Sequence, residues 1–321
     1  MRAIQVSEHG GPEVLRYTEV PDPQAGPGQL LVETQGVGVN YIDIYFRTGQ
    51  YPQARPYIPG SEGTGTVLAI GSGVTEFSVG DRVAWASAPG SYADLVAVDE
   101  AAAVTVPDNV EPAVAAAALL QGMTAHYLTE SVFSPEPGDP VLIHAGAGGV
   151  GLLLTQMAVA KGARVITTVS TDAKEKLSRE AGATDVLHYG DDLAARVREL
   201  TDGIGVAAVY DGVGAATFEA SLASLRVRGT LALFGAASGA VEPFDPQRLN
   251  PAGSLWLTRP SLGAYTRDRT EFLWRAMDVF DGIAAGTLNL RVGATYPLAE
   301  AARAHTDLAD RKTTGSLVLL P

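Results

Sequence analysis

The chain has 321 residues, 46% hydrophobic and 18% charged, enough to bury two ordinary cores. Its 36 acidic and 23 basic side chains give a formal net charge of −13, which opposes nonspecific attraction to nucleic acid or anionic membrane. It has no cysteine, so disulfides, zinc–thiolate sites and thiol nucleophiles are excluded.

The first 124 residues read as mainly β, punctuated by glycine and proline. Candidate strands cover 14–20, 29–39, 63–70, 82–86 and 92–98, with turns at 22–28 and 71–73. Residues 111–120 are alanine-rich and predict a helix. This stretch is the most apolar, yet far short of the ~20 residues a membrane span needs. The N-terminal residues carry no signal-peptide pattern, so a cytoplasmic protein is expected.

From about residue 125 the pattern changes to alternating strand and helix. Strands at 141–144, 164–169, 185–188, 206–210 and 230–234 are interleaved with helices at 149–161, 172–181, 191–201 and 216–224. Such βαβ alternation demands a parallel sheet with right-handed crossovers. Residues 254–258 add a further strand in which Leu255, Trp256 and Leu257 show no alternation, so both faces are expected to be buried. A helix over 269–285 and a strand over 315–320 have no place in that unit and are expected to return to the N-terminal domain.

The most informative stretch joins strand 141–144 to helix 149–161. Gly146, Gly148 and Gly151 fit G-x-G-x-x-G, the dinucleotide fingerprint, in the strand–turn–helix setting it requires. The helix start, with Gly149 and Val150, offers N–H groups and a positive dipole end to a pyrophosphate. After the next strand, where an NAD site carries an acidic residue for the ribose 2′-OH, stand Ser170, Thr171 and Asp172, with Lys174 a turn later. Hydroxyls and an ammonium suit a 2′-phosphate, which a carboxylate would repel, so NADPH is the expected cofactor. The plain alternative is that Ser170 or Thr171 caps the helix and Lys174 is solvated. The five histidines (His9, His126, His144, His188, His305) lack the spacing of a helical metal pair, and no metal site is expected. His144 and His188 read as packed strand residues.

Several collinear stretches resemble one family. Gly36-Val-Gly-Val-Asn-Tyr-Ile-Asp-Ile-Tyr-Phe-Arg-Thr-Gly-Gln-Tyr-Pro52 resembles the signature of NADPH:quinone oxidoreductases, the zeta-crystallin-like branch of the zinc-free medium-chain dehydrogenase/reductases. His9 to Leu15, Gly60-Ser-Glu-Gly63, Gly80 to Val83, Val209 to Gly214, Phe234-Gly235, Thr258 to Leu262 and Asp310 to Gly315 are similar to that family in the same order. Ser61 stands where the superfamily's alcohol dehydrogenases carry a zinc-binding histidine. Gln121 stands where many quinone reductases carry a lysine.

The resemblance implies an α/β chain: a Rossmann doubly wound parallel sheet domain over 125–262 plus a mainly β GroES-like catalytic domain from 1–124 and 263–321. It implies a nicotinamide C4 placed against a quinone in an interdomain cleft, with no metal. Asn40, Tyr41, Asp43 and Tyr45 are implied beside the nicotinamide and its ribose, and Tyr51 on the substrate side. Of these, Asn40, Asp43, Tyr45 and Tyr51 are the catalytic candidates: Asn40 to donate to a quinone oxygen, Tyr45 or Tyr51 to donate a proton unless solvent does so, Asp43 to orient neighbours. Thr124, Tyr127, Gly146, Gly148, Gly149, Val150, Gly151, Ser170, Thr171, Lys174, Tyr189, Val213, Phe234, Gly235, Ser238, Pro260, Ser261, Leu262 and Arg311 complete the implied cofactor contacts. A homodimer through the edge strand near 254–258 is implied as well. Two alternatives stand beside quinone reduction: an NADPH-dependent enoyl or enone reductase of the same superfamily, and an RNA-binding or structural crystallin-like protein, the RNA role being opposed by the acidic charge.

Overall fold

The computed structural model describes residues 1–321 and divides into two compact units, Met1–Gln121 with Asp268–Pro321, and Gly122–Arg267.

The first unit is built on strands β1 (Arg2–Gln5), β2 (Arg16–Glu19), β3 (Gln29–Val39), β4 (Gly63–Ile70), β5 (Arg82–Trp85), β6 (Leu95–Asp99) and β7 (Ala103–Thr105). Its long strand, β3, alternates so that Leu30 and Val32 enter one core with Val67, Val83, Trp85 and Val98. The far end of β3 sends Val37 and Val39 into a second core with Ile4, Val6 and Leu319. Short helices α1 (Tyr41–Thr48) and α2 (Pro112–Ala115) follow β3 and β7, and α3 (Leu119–Tyr127) begins here.

In the second unit, β8 (Pro140–Ile143), β9 (Arg164–Val169), β10 (Asp185–His188), β11 (Val206–Asp211), β12 (Leu225–Leu233) and β13 (Trp256–Thr258) form one parallel sheet in the order β10-β9-β8-β11-β12-β13. Numbered within the unit that is 3-2-1-4-5-6, the doubly wound order of dinucleotide-binding folds. Helices α4 (Gly149–Ala160), α5 (Asp172–Glu180), α6 (Leu193–Leu200) and α7 (Phe218–Ser224) make the crossovers, and α8 (Leu262–Tyr265) follows the edge strand. Leu142, Ile166, Leu187, Val209 and Leu231, one from each of five neighbouring strands, meet in its core.

The chain then returns to the first unit. There α9 (Arg269–Ala284), β14 (Val292–Pro297), α10 (Ala301–Ala309) and β15 (Ser316–Leu320) complete the N-terminal sheet, with β15 parallel to β14 and antiparallel to β3. No helix is long and apolar enough to cross a membrane.

Four sequence expectations need correction. The first candidate strand, 14–20, starts late: Val14 closes a 3-10 turn over Pro12–Val14, and extension runs only from Arg16 to Glu19. Extension in the 92–98 segment starts at Leu95. The alanine-rich stretch is not one helix: it breaks after Ala115, where Ala116 and Ala117 are buried against Val318 of β15, and resumes at Leu119. Trp256 is 67% exposed, whereas Leu255 is buried. β13 is the sheet's outer strand, and one of its faces is open.

Candidate active site

The order of the parallel sheet reverses between β8 and β11, and ligands of such sheets bind at the carboxyl ends beside the reversal. The glycine loop lies there. β8 runs into Ala145, held at φ 54°, a left-handed conformation uncommon for a side-chain-bearing residue. Helix α4 opens at Gly149 with Gly148 as its N-cap and no side-chain cap, so its first N–H groups have no partner within the helix. A Cβ on Gly151 would collide with the Ala145 carbonyl oxygen. This turn of bare backbone at a helix N-terminus fits a pyrophosphate, in the donors it offers and in the absence of side chains over them.

The other candidates of this unit surround the loop. Tyr189 accepts the Ala145 N–H through its hydroxyl at 2.9 Å and stacks its ring on His144 at 6.1 Å. Thr171 caps α5 by accepting the Lys174 N–H, so its hydroxyl serves the helix. The Lys174 Nζ lies 3.4 Å from Ser170 Oγ, putting an ammonium and a hydroxyl together at the end of β9. Ser238 donates to the Val213 carbonyl at 2.8 Å and accepts the Ala216 N–H at 3.0 Å, which ties two loops together. Gly235 N–H and Phe234 N–H both reach the carbonyl of Asp211. Pro260 precedes Ser261, the N-cap residue of α8, which opens at Leu262. Tyr265 of α8 stacks on the buried Tyr127, centroids 4.6 Å apart and planes 3° from parallel. Thr124 is buried one turn earlier on α3.

His144 is a packed residue. Its Nδ1 meets Thr168 Oγ1 at 2.9 Å and its Nε2 meets Ser221 Oγ at 3.0 Å, while burial lowers its pKa and keeps the ring neutral. His188 is half-exposed, with Glu175 at 3.3 Å and Asp172 at 3.7 Å. Those three side chains converge closely enough to hold a metal ion, a grouping across α5 and β10 that helical spacing could not reveal.

In the first unit the sequence reading left residues 41–48 without an assigned element, and the structure forms α1 there. Tyrosine and isoleucine are weak helix formers, so the ends decide: Asp43 returns its carboxylate to the Asn40 N–H at 2.9 Å, and Gly49 closes the helix at φ 81°. Both signals were present in the sequence as N-x-x-D and a following glycine. Helix α1 carries Tyr41 and Asp43 on its first turn and Tyr45 on its second. Tyr45 lies 6.3 Å from Tyr41 and 5.3 Å from Tyr51, ring to ring. Tyr41 donates to the Leu308 carbonyl at 3.1 Å and hydrogen-bonds Arg311, so these two candidates hold each other.

Asn40 is 5% exposed and embedded in hydrogen bonds. Its Nδ2 donates to Glu62 Oε2 at 2.7 Å and its Oδ1 accepts from Gln121 Nε2 at 3.0 Å. One Nδ2 hydrogen is left over by that count. Glu62 also accepts the Leu120 N–H at 2.7 Å, and Gln121 accepts the Ser316 hydroxyl at 2.7 Å. Asp43 accepts the Tyr92 hydroxyl at 3.0 Å, and that hydroxyl lies 3.0 Å from His305 Nε2. Burial pushes Asp43 up to about 7 and Glu62 up to about 8, against the hydrogen bonds that lower both. Burial holds His305 down at about 3, with the Arg47 charge acting the same way.

Glu62, Tyr92, His305 and Ser316 escaped the list of sequence candidates. Glu62 stood in the quoted Gly60-Ser-Glu-Gly63 stretch and could have been singled out as an acid among glycines. The others carry no local signal.

The comparisons agree with this anatomy. A family model described as "Alcohol dehydrogenase GroES-like domain" matches residues 26–108, and one described as "Zinc-binding dehydrogenase" matches residues 149–277. Zinc belongs to the second description; this chain has no cysteine and carries Ser61 where the resemblance puts a histidine. A quinone oxidoreductase of Pseudomonas aeruginosa is 44% identical over 325 residues, covering 100% of this chain and 99% of its own. A mycobacterial protein solved in complex with NADPH is 60% identical with a TM-score of 0.98, covering 100% of both chains. The Escherichia coli quinone oxidoreductase, also solved with NADPH, is 39% identical at a TM-score of 0.98, again over 100% of both chains. The chain belongs to the quinone oxidoreductase family, within the medium-chain dehydrogenase/reductase superfamily.

Proposed function

We propose that this protein is an enzyme that reduces quinones with NADPH. The observation that carries the reading is the bare glycine turn at the reversal of the parallel sheet, with Ser170 and Lys174 at the end of the following strand. Relatives described as quinone oxidoreductases, two of the neighbours being NADPH complexes, support it.

The loop from Gly146 to Gly151 holds the pyrophosphate with backbone N–H groups, and Lys174 with Ser170 holds the 2′-phosphate. Tyr189 covers the adenosine side, while Val213, Phe234, Gly235 and the segment Pro260 to Leu262 line the nicotinamide side with Thr124 and Tyr127. A dihydronicotinamide bound there would supply a hydride, which a quinone can take to gain an aromatic ring. The work left to the chain is to position, to exclude water and to stabilise charge on the acceptor oxygen. Asn40 offers its remaining Nδ2–H to that oxygen. Tyr45 or Tyr51, a hydroxyl on an aromatic wall, passes the proton that completes the hydroquinone. Asp43 orients: its carboxylate is spent on Asn40 N–H and Tyr92.

The test is NADPH oxidation followed by absorbance with and without 1,4-benzoquinone, beside NADH under matched conditions. Quinone-dependent turnover with NADPH well ahead of NADH is expected. Tight NADPH binding without quinone turnover would overturn the substrate assignment.

We infer also a homodimer through β13 and a cytoplasmic site of action. β13 is an unpaired edge, and Trp256 on it and Val227 on the neighbouring β12 are 67% and 69% exposed. Sedimentation should show a dimer that Trp256→Glu dissociates; a wild-type monomer would sink the idea.

A further inference from the structure

The hydrogen bonds around Asn40 form a single file: Ser316 hydroxyl to Gln121 Oε1, Gln121 Nε2 to Asn40 Oδ1, Asn40 Nδ2 to Glu62 Oε2, with the Leu120 N–H fixed on Glu62 Oε1. Every link is buried, Glu62 fully. Gly38 makes the room this carboxyl occupies, since a Cβ there would collide with Glu62 Oε2.

Such a file admits two self-consistent directions. An ionised carboxyl accepts only, so it requires the Nδ2 end of Asn40, then the Nε2 end of Gln121, then a donating Ser316. A protonated carboxyl donates its O–H to Asn40 Oδ1. Asn40 must then turn its Nδ2 to Gln121 Oε1, and Gln121 its Nε2 to Ser316 Oγ, a hydroxyl able to accept. Both arrangements pair every member of the file, the reversed one giving up the capping contact of the Asn40 side chain with the Asp43 N–H, which keeps the Asn40 main-chain carbonyl at 3.0 Å; mixed ones leave a donor facing a donor.

We propose that Glu62 and Gln121 are positioning residues for the reduction: the proton on Glu62 sets the direction of this file, and so the direction in which Asn40 offers its free N–H. The proposal rests on the reading of Asn40 as the group that meets the acceptor oxygen. The ionisable groups facing Glu62 are Asp43 and Tyr92, both of which disfavour its ionised form or are disfavoured by it. Burial pushes Glu62 up to about 8, so the change of direction falls near that pH.

Ligand-free protein labelled at asparagine and glutamine side-chain nitrogens gives the test. The NH₂ resonances of Asn40 and Gln121, identified by their loss in Asn40→Ala and Gln121→Met, should move together with pH through one midpoint. In Glu62→Gln the file is held in the reversed direction, because the Leu120 N–H claims the new amide's oxygen and leaves its NH₂ facing Asn40 at every pH, and the Gln121 resonance should stop moving. Gln121 is the decisive reporter, since it touches Asn40 and not Asp43. In turnover, Gln121→Met should lower kcat about tenfold with the KM for NADPH unchanged, the loss of one oriented hydrogen bond. A Gln121 resonance that titrates unaltered in Glu62→Gln, or a Gln121→Met enzyme with wild-type kcat, overturns the proposal. A wild-type protein inert towards quinones overturns the activity reading itself, which the titration would leave visibly separate.

Discussion

The two units build their sites in opposite ways. In the second, the candidate phosphate cradle is a local object: Ala145 to Gly151 is one continuous turn, and Ser170 and Lys174 lie one strand further on. In the first, the surroundings of Asn40 are assembled from residues 40, 62, 92, 121, 305 and 316, contributed by a helix cap, loops and returning C-terminal elements. A local site depends on backbone shape and should fail all at once when that shape is lost. A dispersed one depends on many hydrogen bonds and should fail by degrees.

Gly151→Val should give the largest effect. Its side chain collides with the Ala145 carbonyl, costs about 1–3 kcal/mol of stability by overpacking and displaces the N–H groups of α4. NADPH binding, followed by nucleotide fluorescence, should disappear while far-UV dichroism persists; retained affinity would show that the turn tolerates bulk.

Asn40→Ala comes next. Losing a donor aimed at a developing oxyanion lowers kcat by about 10²–10³, with the KM for NADPH changed far less. Steady-state kinetics decide, and an equal loss in both constants would make Asn40 a cofactor-binding residue instead.

Lys174→Ala should raise the KM for NADPH about tenfold, the value of one charge-assisted hydrogen bond, and leave NADH unchanged. A parallel loss for both nucleotides would return Lys174 to the role of a solvated helix residue.

The smallest effect is one of pH on stability. Asp43 and Glu62 stand at about 7 and about 8, above their ordinary 3.8 and 4.5, so each binds its proton more tightly folded than unfolded. That contribution is fully present below the ordinary values and is lost as pH rises through the folded ones. His305 acts oppositely: depressed from 6.5 to about 3, it stabilises the fold above 6.5 and this is lost as pH falls. The two oppose each other at mildly acid pH, and only the carboxyls act between 6.5 and 8. Urea melts should therefore show stability falling across that window, and Glu62→Gln should flatten part of the fall. An undiminished slope in the variant would assign it to Asp43 alone.

The same contrast explains what the sequence disclosed. Strands β3, β4 and β9 were legible to their ends because alternation or a continuous apolar run is a local property. The glycine turn was legible because its geometry is dictated within eight residues, His144 to Gly151. Trp256 was misjudged because which face of an edge strand is covered depends on the elements packed over the sheet, not on the strand's own residues. The burial of Ala116 and Ala117 needed Val318, and the Asn40 file needed Ser316, partners that lie about two hundred positions away and leave no periodic trace. Helix α1 is the intermediate case: its cap and its closing glycine were readable, while its composition argued the other way.

Strand β15 carries a consequence for biosynthesis. On a ribosome the second unit is complete, all six strands emerged, while β3, already able to pair with β4 and β6, still lacks β15 along Val37–Val39. Until Ser316–Leu320 arrives, the first unit presents an open strand edge, the kind of surface on which nascent chains associate wrongly. Ser316, the first residue of that strand, is also the far end of the file that orients Asn40. Completion of the sheet and completion of the site are thus one event.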